Sequence, residues 1–369
     1  TYLPGDADQK WLGPVTITAY APDGTAGTQA LLIDQVDTAL DLPADTAAYK
    51  INAEQTGFYH TCYEDEQNLA RLGSMAGSRA LSAMDRWGLQ NDLFALVKAG
   101  MAPMAQFLDL TENYLTEQAF LPLSSLDSHL FEAYLVLRGD IRSRVAQTAE
   151  ALTHAALHNL GYRPSAGEAP TTAMLRDQLF VHGALMGNAA VLDFLTDQFN
   201  AFMGGAIIDA DIFRGVMTAG AAVGEAEALD GIIKRFEESA VEHERMTLAG
   251  ALGAFGNRRL LEQALDYALD NIPDRIRFLP FVAAAANPAA GEHLWPWFEN
   301  HLTRMATMHP LLFERVVAAF VPGPGLQDPE RTRVFCETTL HAQQPRLKDV
   351  LALSLERLTV NTALRQRER

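Results

Sequence analysis

Leu260-Leu261-Glu262-Gln263-Ala264-Leu265-Asp266-Tyr267-Ala268-Leu269 is the stretch on which the fold turns. Leu260, Leu261, Ala264, Leu265, Ala268 and Leu269 recur at intervals of three and four, with Glu262, Gln263 and Asp266 between them. At about 3.6 residues per turn the apolar side chains gather into one stripe, as in a helix buried on one face. Ile232, Ile233 and Phe236 repeat the pattern upstream. The breaks around such segments are short: Ala99-Gly100, Gly256-Asn257, Pro273-Asp274, Asn287-Pro288 and Pro322-Gly323-Pro324-Gly325. Only Gly161 to Pro170 reads as a longer loop. Helices of roughly 10–16 residues joined by brief turns predict stacked antiparallel pairs, as in a solenoid. Trp295, Trp297 and Phe298 fit a cluster that packs one helix pair onto another.

Upstream of about residue 65 the period is two. Val15, Ile17 and Ala19 alternate with Thr16, Thr18 and Tyr20, and Pro22-Asp23-Gly24 makes a turn. Leu31-Leu32-Ile33, Ala39 to Leu42, Tyr49-Lys50-Ile51 and Thr56 to Tyr59 read as further short strands, with Pro43 to Thr46 as a turn. These strands are too few for an independent sandwich, so they need neighbouring strands or helices to cover them. The predicted organisation is mainly α with a small N-terminal β segment, divided into residues 1–63 and 64–369.

Bulk properties narrow the function. A net charge of −17, spread along the chain, argues against nucleic acid or an anionic membrane surface as partner, because both need a basic face. No apolar run reaches the roughly 18 residues of a membrane helix, and no signal-peptide pattern stands at the start. Cys62 and Cys336 are far apart, with no CxxC, which fits a reducing compartment and a cytoplasmic protein.

His154 and His158 stand at i and i+4 on one helix, the spacing of a zinc pair, and Asp177 follows nineteen residues later, where a third ligand could stand. Position 155 is Ala, where HExxH needs the glutamate that activates metal-bound water. The intervening Tyr162-Arg163-Pro164-Ser165 is loop rather than helix. The reading is two histidines on a partly exposed helix, with no metal site and no catalytic residue in this chain. Val241 to Arg245, around His243, reads as a solvated helix start. GxSxG, GxGxxG and P-loop patterns are absent.

Asn52-Ala53-Glu54-Gln55-Thr56-Gly57-Phe58-Tyr59 closely resembles the segment that joins the β-sandwich domain to the C-terminal helical domain in the gluzincin zinc aminopeptidases. Further matches follow in order. They are Trp11 with Pro14-Val15-Thr16, then Asp85-Arg86-Trp87-Gly88-Leu89 with Asp92, Phe94, Leu96 and Gly100. Tyr114-Leu115, Glu117 and Pro122 come next, and Asn287-Pro288, Gly291, Trp295, Phe298 and Asn300 complete the series. The sequence departs from the family at His60, usually Arg, at Thr61-Cys62, usually Val-Asn, at Leu123, often Trp, and at His301, commonly Trp.

The resemblance implies a HEAT- or armadillo-like helical superhelix, bowl-shaped, that closes over the chamber of an upstream catalytic domain in the same polypeptide. It implies zinc in that domain and a peptide substrate contacted at its distal part. It also implies that Tyr134 stands at a tyrosine that helps hold the peptide C-terminus in the antigen-trimming branch, with Arg138 expected one turn later on the same helical face. Leu135 stands where that branch has a base. The expected function is the non-catalytic C-terminal region of a zinc aminopeptidase, inactive by itself. The alternatives are a freestanding helical scaffold that binds a protein on its concave face, and a small zinc hydrolase using His154, His158 and Asp177.

Overall fold

The computed structural model describes residues 12–368, so Trp11 lies outside the described residues. The strands β1 (Gly13–Tyr20), β2 (Ala26–Ile33) and β3 (Ala48–Ile51) form one antiparallel sheet in the order β2-β1-β3. Val15 pairs with Leu31, and Ile17 with both Gln29 and Ile51. The expected turn after β1 is present. Asp23 accepts a hydrogen bond from the Thr25 amide at 2.9 Å, and Gly24 takes a left-handed φ of 87°.

Two expected strands are not strands. Leu40 and Leu42 are half-buried while Ala39 and Asp41 are exposed, yet the segment joins no ladder. An extended chain alternates its side chains whether or not it is paired. Thr56 to Tyr59 is irregular backbone. The outer edge of β3 is closed to it, because Tyr49 N donates to Asn68 Oδ1 (2.9 Å) and Ile51 N to the Tyr63 hydroxyl (2.8 Å). The structure is otherwise mainly helical, and no strand follows Ile51 among the described residues.

Two compact units divide the chain. The first contains the sheet, α1 (Glu66–Gly77), α2 (Ala83–Ala99), α3 (Met104–Thr111), α4 (Phe120–Val136) as far as Leu130, and α5 (Gly139–Leu160) except its last residue. Strand gives way to helix between Ile51 and Glu66, but no compact boundary lies there, since Asn68 of α1 also donates to Tyr49 O at 2.9 Å.

The second unit takes residues 131–137 and 160–366. Its helices are α6 (Pro170–Met186), α7 (Ala189–Met203), α8 (Ala210–Val223), α9 (Ala226–Glu238), α10 (Glu242–Ala251), α11 (Arg258–Asn271), α12 (Phe278–Ala285), α13 (Leu294–Met305) and α14 (Pro310–Phe320). After them come α15 (Pro329–Phe335), a π-helical turn over Cys336–Leu340, α16 (His341–Gln343) and α17 (Lys348–Arg367). Helices α6, α8, α10, α12 and α14 pack each on the next, and α7, α9 and α11 each pack on the helix that follows. This is the stacking of a helical-repeat solenoid. All six stripe residues of α11 are buried, as are Ile232, Phe236, Trp295, Trp297 and Phe298. Gly253 marks a close approach: a Cβ there would stand 2.2 Å from Pro280 O and 2.6 Å from Ala284 N. No single helix among the described residues is long and apolar enough to cross a membrane.

Candidate functional site

Within the second unit, three helices of one row begin side by side. Pro170 opens α6, where its fixed φ and missing N–H are tolerated. Asp209 caps α8 by accepting from the Asp211 amide at 2.9 Å. Glu242 opens α10. The first two turns of these helices line a groove of about 510 Å³. One wall is Ala173, Met174 and Asp177 of α6, with Glu168 just before it. Asp211 and Arg214 come from α8, and His243 and Thr247 from α10.

The charges of the groove are mostly paired. Arg176, fully buried, meets both oxygens of Glu168 at 2.6 and 2.7 Å and also donates to the carbonyls of Gly161 and Leu160. The Arg176 guanidinium pulls the Glu168 carboxyl down to about 2. Arg214 meets Oδ2 of Asp177 through two nitrogens, at 2.6 and 2.7 Å. Oδ1 of Asp177 is desolvated and has no donor among the described residues. The Asp211 carboxylate has no ion-pair partner among the described residues, and Met174 is 60% exposed.

The residues singled out in the sequence fall elsewhere or in other roles. Tyr134 lies on α4, half-buried, in the second unit. Arg138, expected on the same helical face, lies beyond the end of α4 and belongs to the first unit. Helix α4 stops at Val136 and Gly139 takes a φ of +63°, a left-handed backbone that turns the chain into α5. His154 and His158 are both exposed on α5, and Asp177 is engaged by Arg214. Among the described residues no group of three or more His, Cys, Asp or Glu side chains could hold a metal ion. His243 is exposed at the start of α10.

The segment that carries the resemblance is a buried junction in the first unit. Asn52, Glu54 and Gln55 hold left-handed φ values of 59°, 55° and 53°, at a cost of order 1–3 kcal/mol each. Asn52 bridges its own loop, accepting from Gly57 N at 2.7 Å and donating to Gly57 O at 3.0 Å. Asp85 of α2 accepts from the Glu54 amide at 2.8 Å and stands 3.7 Å from the wholly buried Lys50 ammonium. Burial pushes the Lys50 ammonium down and the Asp85 carboxyl up. His60, in the place of the family's arginine, contacts Asp92 at 2.8 Å. Arg86 pairs with Glu117 through two contacts, one of 2.9 Å, and Tyr114 donates to Arg86 O at 2.7 Å. Every charged residue quoted for the resemblance over 85–117 is thus a structural tie.

Residues 48–358 match the family described as ERAP1-like C-terminal domain. The chain belongs to that family. Among its relatives, a puromycin-sensitive aminopeptidase of Caenorhabditis elegans is 25% identical over 80% of this chain and 32% of its own length. An alanine/arginine aminopeptidase of Saccharomyces cerevisiae is 25% identical over 77% of this chain and 33% of its own. Aminopeptidase M1 of Arabidopsis thaliana is 22% identical over 97% of this chain and 43% of its own. The chain spans less than half the length of each of these relatives.

Sequence reasoning missed the groove of this ERAP1-like C-terminal domain. Its walls come from residues 168–177, 210–214 and 243–247, which no local pattern links. A faint signal was available in Pro170 and Asp209, both helix-start residues. The Glu168–Arg176 tie was equally unmarked, because eight residues that span a loop and a helix start match no helical pair spacing.

Proposed function

We propose that this chain is the non-catalytic C-terminal region of a zinc aminopeptidase, closing the active-site chamber and contacting the distal part of the peptide. The match of residues 48–358 to the ERAP1-like C-terminal domain carries this reading. Relatives named as aminopeptidases, each more than twice as long, support it. The catalytic zinc belongs to the upstream domain of the same polypeptide. The sheet of β1 to β3 continues a β-sandwich begun in that upstream chain, and the exposed strand β2 offers it an edge. Cys62 and Cys336 are both free thiols, in keeping with a cytoplasmic setting, which cell fractionation of the parent enzyme would test.

Tyr134 is the proposed contact with the peptide, with Arg138 as a second, separate candidate. In the full-length enzyme, Tyr134→Ala should leave kcat/KM for dipeptide-sized substrates almost unchanged. For longer peptides it should cost about 1–2 kcal/mol, the scale of one aromatic or hydrogen-bonded contact. Equal losses on short and long substrates would mean that Tyr134 acts through stability, and the docking role would be abandoned.

A further inference from the structure

We propose that Phe58 is the anchor by which the junction loop docks into an apolar pocket on the upstream region of the same polypeptide. The existence of that region rests on the function proposed above; the choice of Phe58 rests on the loop.

Phe58 is 109% exposed, as open to water as in an unfolded chain, so its ring adds no apolar burial to the described residues. Its backbone is held tightly. The buried Asn52 side chain brackets it, accepting from Gly57 N at 2.7 Å and donating to the carbonyls of Gly57 and Tyr59 at 3.0 and 3.4 Å. Gly57 passes so close to the Tyr59 ring that a Cβ there would stand 2.1 Å from it. His60, two residues on, is tied to Asp92 at 2.8 Å. The left-handed backbone of Asn52, Glu54 and Gln55 adds strain, and strain of this kind gathers at ligand clamps and switch regions. A loop that bears strain while it fixes a bare aromatic ring in place has the form of an interface anchor. Little ordering is left to do on binding, and the ring supplies a large apolar area.

The sheet indicates the occupant. Thr56 Oγ1 lies 3.2 Å from Thr16 Oγ1, so the loop rests on the face of β1 that carries Thr16. Pro14 and its partner Leu32 are the next pair on that face, because alternate residues of a strand share a face and directly paired residues do too. Both are exposed, Leu32 at 55%. Leu32 belongs to β2, the edge strand of the sheet. A chain that pairs with this edge passes beside Leu32 and brings apolar surface to the side of the sheet on which the loop lies. Other occupants fit less well. A second copy would bring a like net charge of −17 against the first, and an anionic membrane surface would be repelled by the same charge.

The test is hydroxyl-radical footprinting of this chain and of the full-length parent enzyme, each mixed with the same reference peptide. Phe58 should be oxidised about tenfold more slowly in the parent at every protein concentration, because an anchor at the centre of an interface is shut off from water. Phe58→Ala should leave thermal unfolding of this chain unchanged, since the ring buries no surface in it. In the parent the same change should speed limited proteolysis between the upstream region and β1 by about tenfold, as the open form becomes more populated, and Phe58→Leu should restore most of the resistance. Equal oxidation of Phe58 in the two proteins would overturn the proposal. So would protection that disappears on dilution, which would assign the ring to a second copy, or a Phe58→Ala parent cleaved no faster than the unaltered one. A parent with aminopeptidase activity and an open Phe58 would sink this inference alone. A protected Phe58 in a parent without that activity would sink the aminopeptidase reading alone.

Discussion

The first unit buries ions where the second buries amides and small residues. Lys50, Asp85, Arg86, Asp92 and Glu117 are all within the first unit's interior. In the second unit the buried polar side chains are mostly threonines and asparagines, with Arg176 the charged exception. Asn188 caps α7 by accepting from Val191 N, Asn287 donates to the carbonyls of Gly253 and Phe255, and Asn361 donates to Pro322 O. The difference follows from the backbone each unit must satisfy. A helical stack bonds its own backbone and leaves only helix ends and turns, which a neutral amide can cap. The junction between β3 and α1 has left-handed residues and amides aimed at no ladder, which Asp85 takes up at Glu54 and the neutral Asn52, Tyr63 and Asn68 take up at Gly57, Ile51 and Tyr49.

The largest expected effect breaks the charged side of this contrast. Glu117→Ala leaves Arg86 as a buried cation without its carboxylate and should cost about 3–5 kcal/mol in chemical denaturation. Joint replacement by Arg86→Met and Glu117→Leu should recover most of that loss, since an apolar pair of similar volume carries no desolvation penalty. A loss below about 1 kcal/mol for the single change would show that ion pairing does not organise the first unit.

A smaller effect sharpens the apolar side. Gly253→Ala sets a Cβ against the backbone of α12, which cannot move aside as a side chain would, and should cost about 1–3 kcal/mol. Gly250→Ala, three residues earlier within α10 and with open space around it, should instead be neutral or stabilise by up to about 1 kcal/mol. Similar thermal shifts for both would mean that the stack is not packed backbone to backbone at Gly253.

The smallest effect is a difference in acid response. Glu168 is held at about 2 against about 4.5 when unfolded, so its stabilisation is complete above about 4.5 and is lost as pH falls towards 2. Asp85 and Asp92 have the opposite sign, because burial raises them above the ordinary 3.8 and acid relieves the cost of their ionised forms. Hydrogen exchange followed from pH 5 to pH 3 should therefore show the α6 region losing protection before the β3–α2 junction. Glu168→Gln should flatten the pH response at α6. An unchanged profile in that variant would show that the Glu168–Arg176 tie does not set the acid limit of the second unit.

Much of this was legible in residue order, and the reason is distance along the chain. The stripe of α11, the buried aromatics Trp295, Trp297 and Phe298 and the turn at Pro22-Asp23-Gly24 are products of near neighbours, so a period of 3.6 or a turn dipeptide determines them. The junction motif identified the family even though its purpose is structural, since residues 52–60 and 85–92 must be of particular kinds to tie a strained loop. Tertiary structure alone decided the rest. Leu40 and Leu42 alternate as a strand would but have no partner strand among the described residues, which only the arrangement of the sheet could show. Arg138 left its predicted helix at a glycine whose left-handed φ is a choice among several open to it. The groove gathers side chains up to 79 residues apart, from Glu168 to Thr247. Pairings such as Asp177 with Arg214 exist because α6 packs on α8, and that packing is selected by the burial of whole helix faces rather than by any short stretch of sequence.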